Sequence, residues 1–347
     1  MKPLTFFFHV SLLFLVGSIG LVAAELPRVA LFTTGGTIQS RGEHRMKLME
    51  YGAGRVTPDE LLEDLPEIHR IAQVEVIEIS NVGSPQITTD HLLRLSKELN
   101  ATLERDDVTG AVVTHGTGTL EETAYFLHLT VRSEKPVVVV GAMRPFSAIS
   151  RDGPYNLYSA IRIAADPDAK GRGTMVVLNE TIHSARFVTK GNTYRVETFV
   201  AREMGPLGYV DSDRIVFYRN LLCRHSSESE FDVSNLTSLP QVDIVYGYQE
   251  ASAASILGLI KDGAKGIIFA DSSPAFRAAL HRAQAEGIVV VQGDRKGAGR
   301  VLQSERSAGR GFVTADNLNP QKARMLLRLA LTQTQNPREI QRMFNEY

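Results

Sequence analysis

Two threonines follow glycine-rich turns and could supply hydroxyl groups for nucleophilic chemistry. Thr117 comes directly after the apolar, β-branched stretch 110–114, which is typical of a buried parallel strand. Thr119 and Glu122 form a capping-box pattern that predicts a helix beginning near Leu120. Thr117 would therefore lie between the carboxyl end of a strand and a helix N-terminus. Open α/β sheets bind ligands there, and the helix dipole favours negative charge, including a threonine alkoxide.

The second threonine, Thr37, stands in a turn of the same kind. The stretch 29–33 is predicted to be a strand, and the turn Thr-Gly-Gly-Thr-Ile at 34–38 follows it. Thr37, like Thr117, is a hydroxyl placed by glycines at the end of a strand. Either turn alone is compatible with an ordinary strand-to-loop connection. The pair together indicates a site built on two hydroxyl groups.

With these turns, the chain resembles the bacterial type II (secreted) L-asparaginases. The resemblance rests on motifs that keep their order over nearly the whole chain: Thr-Gly-Gly-Thr-Ile at 34–38, Thr-His-Gly-Thr at 114–117, Glu-Glu-Thr-Ala at 121–124, Val-Gly-Ala-Met-Arg-Pro at 140–145, Asp-Gly-Pro at 152–154, Val-Thr-Lys at 188–190, Gly-Pro-Leu-Gly-Tyr at 205–209 and Leu-Asn-Pro-Gln-Lys-Ala-Arg at 318–324. It implies an amidohydrolase without a cofactor that converts L-asparagine to L-aspartate and ammonia.

The resemblance also implies roles for particular residues. Thr37 would be the nucleophile, and Thr117 with Lys190 would activate the hydroxyl group or water. Tyr51 would assist from a mobile lid formed by residues 39–57. Because threonine hydroxyls are weak nucleophiles at neutral pH, Lys190 would need a lowered pKa to accept a proton.

Four further positions correspond to substrate contacts in the resembling family. Ser84 would hold the α-carboxylate, and the carbonyl of Ala142 would accept from the amide nitrogen. Glu305 is the nearest candidate for a glutamate that the family takes from a neighbouring subunit, together with the turn at 271–274. Gly118 stands where the family carries an aspartate that contacts the substrate ammonium. The resemblance implies a homotetramer.

Gly118 and Pro85 depart from the family pattern. Losing one partner of a desolvated charge pair costs about 2–5 kcal/mol, which is roughly 30- to 3,000-fold in affinity or rate. Pro85 replaces a glutamine and removes a backbone donor. Three hypotheses stay open: an asparaginase with a compensating carboxylate, Asp152 or Glu122, or with reduced activity; an amidohydrolase for an amide that lacks the α-ammonium group; and a non-catalytic relative that binds a small ligand or a partner.

The N-terminus has the features of a secretory signal peptide over residues 1–24. Lys2 gives a positive start, the stretch 6–22 is almost entirely apolar, and Val-Ala-Ala at 22–24 is a cleavage pattern. We therefore expect a periplasmic or secreted protein that is free of the membrane after cleavage. Its lone cysteine, Cys223, excludes an internal disulfide.

Composition and motifs argue against other classes of function. The net charge is −1, so no basic excess points to nucleic acid. No Cys/His spacing is typical of a metal site. Neither glycine turn forms a Rossmann fingerprint in the required context, and a G-K-[ST] phosphate loop is absent from the sequence. A small-molecule amide is the expected partner.

The hydrophobic pattern predicts an α/β protein with two domains. After the signal peptide, residues 25–219 are expected to form a larger catalytic domain on a mainly parallel sheet. A polar connector with fading periodicity, residues 220–241, would link it to a smaller parallel α/β domain at 242–347. Strand and helix patterns alternate clearly in this second part, and a helix is predicted at 320–334.

Overall fold

The computed structural model describes residues 25–52, 54–305, 309 and 311–347, so the predicted signal peptide lies outside the described residues. Its strands, in chain order, are β1 (Arg28–Gly35), β2 (Ser40–Arg41), β3 (Gly54–Arg55), β4 (Gln73–Val82), β5 (Val108–Thr114), β6 (Val137–Val140), β7 (Thr174–Leu178), β8 (Thr181–Ser184), β9 (Thr189–Lys190), β10 (Phe199–Val200), β11 (Gly208–Val210), β12 (Ile215–Phe217), β13 (Val242–Tyr246), β14 (Gly266–Ala270), β15 (Val289–Gly293) and β16 (Val313–Thr314).

The α-helices are introduced by recognisable sequence signals. Thr57 and Glu60 form a reciprocal capping box at the first helix, and Asn319 accepts from the Lys322 N–H at the seventh. In chain order the described helices are α1 (Pro58–Glu63), α2 (Thr89–Leu103), α3 (Leu120–Thr130), α4 (Gly153–Ala165), α5 (Ala254–Asp262), α6 (Phe276–Ala285), α7 (Pro320–Ala330) and α8 (Pro337–Glu346).

The larger sheet is mixed, with a parallel centre. Its strand order is β12-β11-β8-β7-β6-β5-β1-β4. Strands β4, β1, β5, β6 and β7 run parallel, whereas β8, β11 and β12 pair antiparallel at one edge. Alternation along each strand divides the apolar side chains between the two faces. Leu31 and Val112 join one core, and Phe32 and Val113 join the other. The central strands are therefore covered on both sides.

A second, smaller sheet lies in the C-terminal part of the chain. Its strands β13, β14, β15 and β16 are all parallel. Helices α5 and α6 supply a third core on one face, and the residues of α7 belong to the core shared with the larger sheet. The predicted α/β class, with a larger mainly parallel sheet and a smaller parallel one, is confirmed.

One local expectation differs from the structure. Thr119 precedes α3 as expected, but its side chain does not cap the helix. Its hydroxyl donates to the Ser84 carbonyl at 3.0 Å instead. A tertiary acceptor competes here with the local backbone N–H groups, and sequence spacing cannot register that competition.

Candidate active site

Four adjacent parallel strands bring the predicted site residues to one edge of the larger sheet. Thr37 follows β1, Ser84 follows β4, Thr117 follows β5 and Ala142 follows β6. All four residues are buried. Because the carboxyl ends of parallel strands lie at the same edge, residues more than a hundred positions apart share one region.

The two glycine turns are in direct contact. Gly36 has φ +85°, and a Cβ atom there would lie 2.3 Å from the Gly116 Cα atom. The Thr34 hydroxyl donates to the Thr114 carbonyl at 2.7 Å, and the Thr114 hydroxyl donates to Gln39 Oε1 at 3.1 Å. Only residues without a side chain allow the two turns to approach so closely. The Thr37 and Thr117 turns therefore form one structural unit.

Lys190 contacts Thr117 directly. Its Nζ donates to the Thr117 hydroxyl oxygen at 2.8 Å, although 73 residues separate them. Burial lowers the pKa of Lys190 below its ordinary value, and the Glu121 carboxylate opposes this by raising it. A lysine with a lowered pKa releases its proton more readily than a free amine. The pair can thus exchange a proton between an amine and a hydroxyl group.

Glu121 holds this arrangement in place and was not among the predicted site residues. One carboxylate oxygen accepts from the Lys190 backbone N–H at 2.7 Å, and the other accepts from Asn319 Nδ2 at 2.8 Å. Both residues belong to motifs noted in the sequence, Glu-Glu-Thr-Ala and Leu-Asn-Pro. The motifs therefore drew attention to both residues, but residue type and position could not predict that Glu121 and Asn319 contact each other.

His115 is a neutral structural residue next to Thr117. Burial lowers the pKa of His115 to about 4. Its Nδ1–H donates to the Gly116 carbonyl at 2.8 Å, and Nε2 accepts from the Thr123 hydroxyl at 2.9 Å. Both ring nitrogens are therefore occupied. The imidazole fixes the turn to helix α3 and adds no charge to the site.

Gly118 lies against Ser84. A Cβ atom at Gly118 would be 2.8 Å from Ser84 Oγ, and the Gly118 backbone is outside the left-handed region. The two carboxylates considered as compensation are engaged elsewhere. Asp152 accepts from the backbone N–H groups of Met143 and Arg144 at 2.9 Å each. Glu122 Oε2 lies 3.7 Å from Arg324 Nη1.

Tyr51 and Glu305 are not brought to the threonines by a described contact within this chain. Tyr51 is 41% exposed and lies between the short strands β2 and β3. The loop is tied down at its beginning, where the Gly42 N–H donates to Ser147 Oγ at 2.8 Å. Glu305 is exposed. In the part of the chain that the structure describes, neither side chain forms a hydrogen bond or ion pair with Thr37, Thr117 or Lys190.

The described residues contain neither a candidate metal centre nor a membrane-spanning helix. No group of three or more His, Cys, Asp and Glu side chains within 25–52, 54–305, 309 and 311–347 could hold a metal ion. Over the same residues, every helix is too short or too polar to cross a membrane.

Two family models match the chain. The model described as "Asparaginase, N-terminal" matches residues 28–223. The model described as "Glutaminase/Asparaginase C-terminal domain" matches residues 241–344. Between them they include the larger sheet, the smaller sheet and the predicted site residues.

Individual relatives are similar over most of their length. L-asparaginase 2 of Bacillus subtilis (strain 168) is 49% identical, over 93% of this chain and 87% of its own. L-asparaginase 2 of Escherichia coli (strain K12) is 42% identical over 99% of both chains. The crystal structure of the probable cytoplasmic L-asparaginase from Campylobacter jejuni superposes with a TM-score of 0.90 at 41% identity, covering 92% of this chain and all of that one.

Proposed function

Because the chain belongs to the L-asparaginase family and is an L-asparaginase-type amidohydrolase, we propose that Thr37 is its nucleophile and that Thr117 and Lys190 form its proton-accepting pair. The observation that carries this proposal is the 2.8 Å contact between Lys190 Nζ and the Thr117 hydroxyl. That contact lies beside the glycine turn of Thr37, and Lys190 has a lowered pKa. The pair therefore has the chemistry that activation of a hydroxyl group requires.

In the proposed reaction, the Thr37 oxygen attacks the side-chain amide carbon of L-asparagine. Its proton passes to a base, and the carbonyl oxygen takes up negative charge in the tetrahedral intermediate. When the carbon–nitrogen bond breaks, the nitrogen takes up a proton and leaves as ammonia, and an ester of Thr37 remains. Water activated by Thr117 and Lys190 then hydrolyses the ester to L-aspartate. Each of the two steps forms one bond to the carbonyl carbon and breaks another, and neither changes an oxidation state. The proposed reaction therefore requires no cofactor.

Substrate contacts are proposed for the buried residues around the two turns. Ser84 would donate to the α-carboxylate, and the Ala142 carbonyl would accept from the amide nitrogen. Tyr51 would approach when the loop at 42–52 closes. Glu305 would come from a neighbouring subunit, which agrees with its exposure and with the lack of a described contact to the threonines. This arrangement makes an assembly of subunits necessary for a complete site.

We further propose that Gly118 replaces an ammonium-binding aspartate. Asp152 accepts from two backbone N–H groups, and Glu122 faces Arg324 at 3.7 Å, so we infer that neither takes the place of that aspartate. Pro85 adds a second change at the Ser84 turn. These two positions favour a second candidate function within the same chemistry, hydrolysis of an amide that lacks the α-ammonium group.

We also propose that the protein has two domains, is exported and assembles into a homotetramer. Two separate sheets and two family models support a domain at 25–219, a connector at 220–241 and a second domain at 242–347. The pattern of residues 1–24 supports export to the periplasm or medium. The proposed contribution of Glu305 from a neighbour supports a homotetramer, with a dimer as its minimum active unit.

The first prediction concerns pH. A neutral Lys190 is required as acceptor, so kcat/KM for L-asparagine should rise with pH as Lys190 loses its proton. Glu121 raises the pKa of Lys190, so Glu121→Gln should shift the rising limb of the pH–rate profile to lower pH. The measurement is a pH–rate profile with Glu339→Gln, an exposed glutamate on α8, as control. A limb that stays in place or moves to higher pH in Glu121→Gln would contradict the role of Lys190.

The second prediction concerns the nucleophile. Thr37→Ala should lower kcat by about a thousandfold or more, as removal of a nucleophile does, while leaving the melting temperature nearly unchanged. Thr109→Ala is the matched control, because Thr109 lies at the opposite end of β5 and its hydroxyl donates to the Arg28 carbonyl. Ammonia release is measured for both variants. A Thr37→Ala enzyme that retains more than about a tenth of the activity would place the nucleophile elsewhere.

The third prediction concerns Gly118. Gly118→Asp should raise kcat/KM for L-asparagine by roughly 30-fold or more through the restored charge pair, once Ser84 Oγ rotates away. Gly118→Asn, of nearly equal shape and without charge, should not. Neither change should help succinamate, which has no ammonium group. If a folded Gly118→Asp variant gains nothing on L-asparagine, the pocket is built for another amide.

The fourth prediction concerns processing and assembly. Native mass spectrometry of protein recovered from the exported fraction should give a subunit that begins at Glu25 and a complex of four subunits. One spectrum tests both statements because subunit mass and complex mass are read independently. A subunit that retains residues 1–24 would refute cleavage, and a monomer at micromolar concentration would refute the tetramer.

A further inference from the structure

A polar cavity of about 420 Å³ lies beside the proposed active site and shares Ser84 with it. The N-terminal ends of α2 and α3 and one face of α7 surround it. Its wall includes Ser84, Thr89, Thr119, Glu122, Arg324 and Arg328. Two arginines and one glutamate thus face a space large enough for a small molecule.

Arg328 is the most constrained of these charges. It is 7% exposed, and its Nε donates to the Pro240 carbonyl at 3.1 Å while Nη2 donates to Thr89 Oγ1 at 2.8 Å. Within the described residues it has no carboxylate partner within 4.0 Å. Burial, and then the charge of Arg324, lower the pKa of Arg328 to about 10, whereas the charges of Asp243 and Glu122 raise it, so it stays charged at neutral pH. Because these two carboxylates act only from beyond ion-pair distance, a bound anion would supply the close opposite charge that this buried guanidinium lacks.

Arg324 adds a second cation. Its Nε donates to the Val242 carbonyl at 2.7 Å, and its Nη1 is 3.7 Å from Glu122 Oε2, beyond hydrogen-bond distance. Glu122 is therefore the one carboxylate of the cavity wall. The carboxylate of its neighbour Glu121 accepts hydrogen bonds from the Lys190 backbone N–H and from Asn319 Nδ2. Two guanidinium groups and one carboxylate thus line the cavity, and Asp243 acts on Arg328 from outside the wall.

Two helix N-termini add positive potential at the cavity. Helices α2 and α3, of 15 and 11 residues, both begin at the cavity. Thr119 does not cap α3 with its side chain, because its hydroxyl donates to the Ser84 carbonyl. First-turn N–H groups and the positive end of the helix dipole favour anions, roughly as half a unit charge per helix. Together with the two guanidinium groups, they favour an anionic ligand.

We propose that this cavity binds a small dianion, a phosphate or a dicarboxylate, held by Arg324 and Arg328 and opposed by Glu122. Planar guanidinium groups recognise both chemistries through paired N–H donors. Ser84 lines this cavity and also touches Gly118. A bound dianion would therefore lie next to the turn that is proposed to hold the substrate carboxylate.

Isothermal titration calorimetry with inorganic phosphate and with succinate, at constant ionic strength in sodium chloride, tests the proposal. At least one should bind the wild-type protein, and comparison of the two distinguishes a phosphate site from a dicarboxylate site. Arg324→Gln and Arg328→Gln should each weaken binding by about tenfold or more, the worth of a charge-assisted hydrogen bond. Arg282→Gln, an exposed arginine on α6, should bind as the wild type does.

Glu122→Gln provides an independent test, because it should strengthen binding severalfold by removing the opposing charge. A general structural defect would not produce such a gain, so this variant remains informative if Arg328→Gln folds poorly. Thermal melts of the ligand-free variants show whether Arg328→Gln is folded. The proposal is overturned if neither dianion binds the wild type. It is also overturned if every dianion that binds the wild type binds both arginine variants unchanged, since the ligand would then occupy another site.

Discussion

The contact between two glycine turns at the ends of β1 and β5 is the constraint on which the site depends. A Cβ atom at Gly36 would lie 2.3 Å from Gly116 Cα, and one at Gly116 would lie 2.8 Å from Ser84 Cβ, so neither position accommodates a side chain without movement of its neighbours. The strands are neighbours in a parallel sheet, so their carboxyl ends coincide. Thr37 and Thr117 follow these glycines directly. Close packing of backbone thereby fixes two hydroxyl groups with little freedom, which is the form of preorganisation that catalysis by positioned groups requires.

A second layer of contacts sets the electrostatics around these hydroxyl groups. Glu121 holds the Lys190 backbone on one side and Asn319 on the other, and Asn319 is the N-cap of α7. The carboxylate therefore links the β9 strand, helix α3 and the C-terminal part of the chain. Burial makes the Lys190 amine easier to deprotonate, while His115 stays neutral. Charge at the site is thus governed by one lysine and one carboxylate.

Gly118 separates two electrostatic environments. On one side are the hydroxyl groups and Lys190, and on the other is the cavity with Arg324, Arg328 and Glu122. Ser84 belongs to both, because it touches Gly118 and lines the cavity. An aspartate at position 118 would place a negative charge beside Ser84. With glycine at position 118, this turn adds no carboxylate beside Ser84 or the two arginines of the cavity.

The sequence by itself determined the α/β class, the family and the positions of both threonines at strand ends. These features are local or periodic: β-branched runs, glycine turns and motifs in fixed order. The tertiary structure alone decided which distant groups meet. Lys190 reaches Thr117 across 73 residues, Glu121 bridges to Asn319, and Thr119 donates to Ser84 instead of capping its helix. Such pairings depend on strand order, register and helix packing, and these follow from the folding of the whole chain. Neither spacing nor residue type within one segment encodes them.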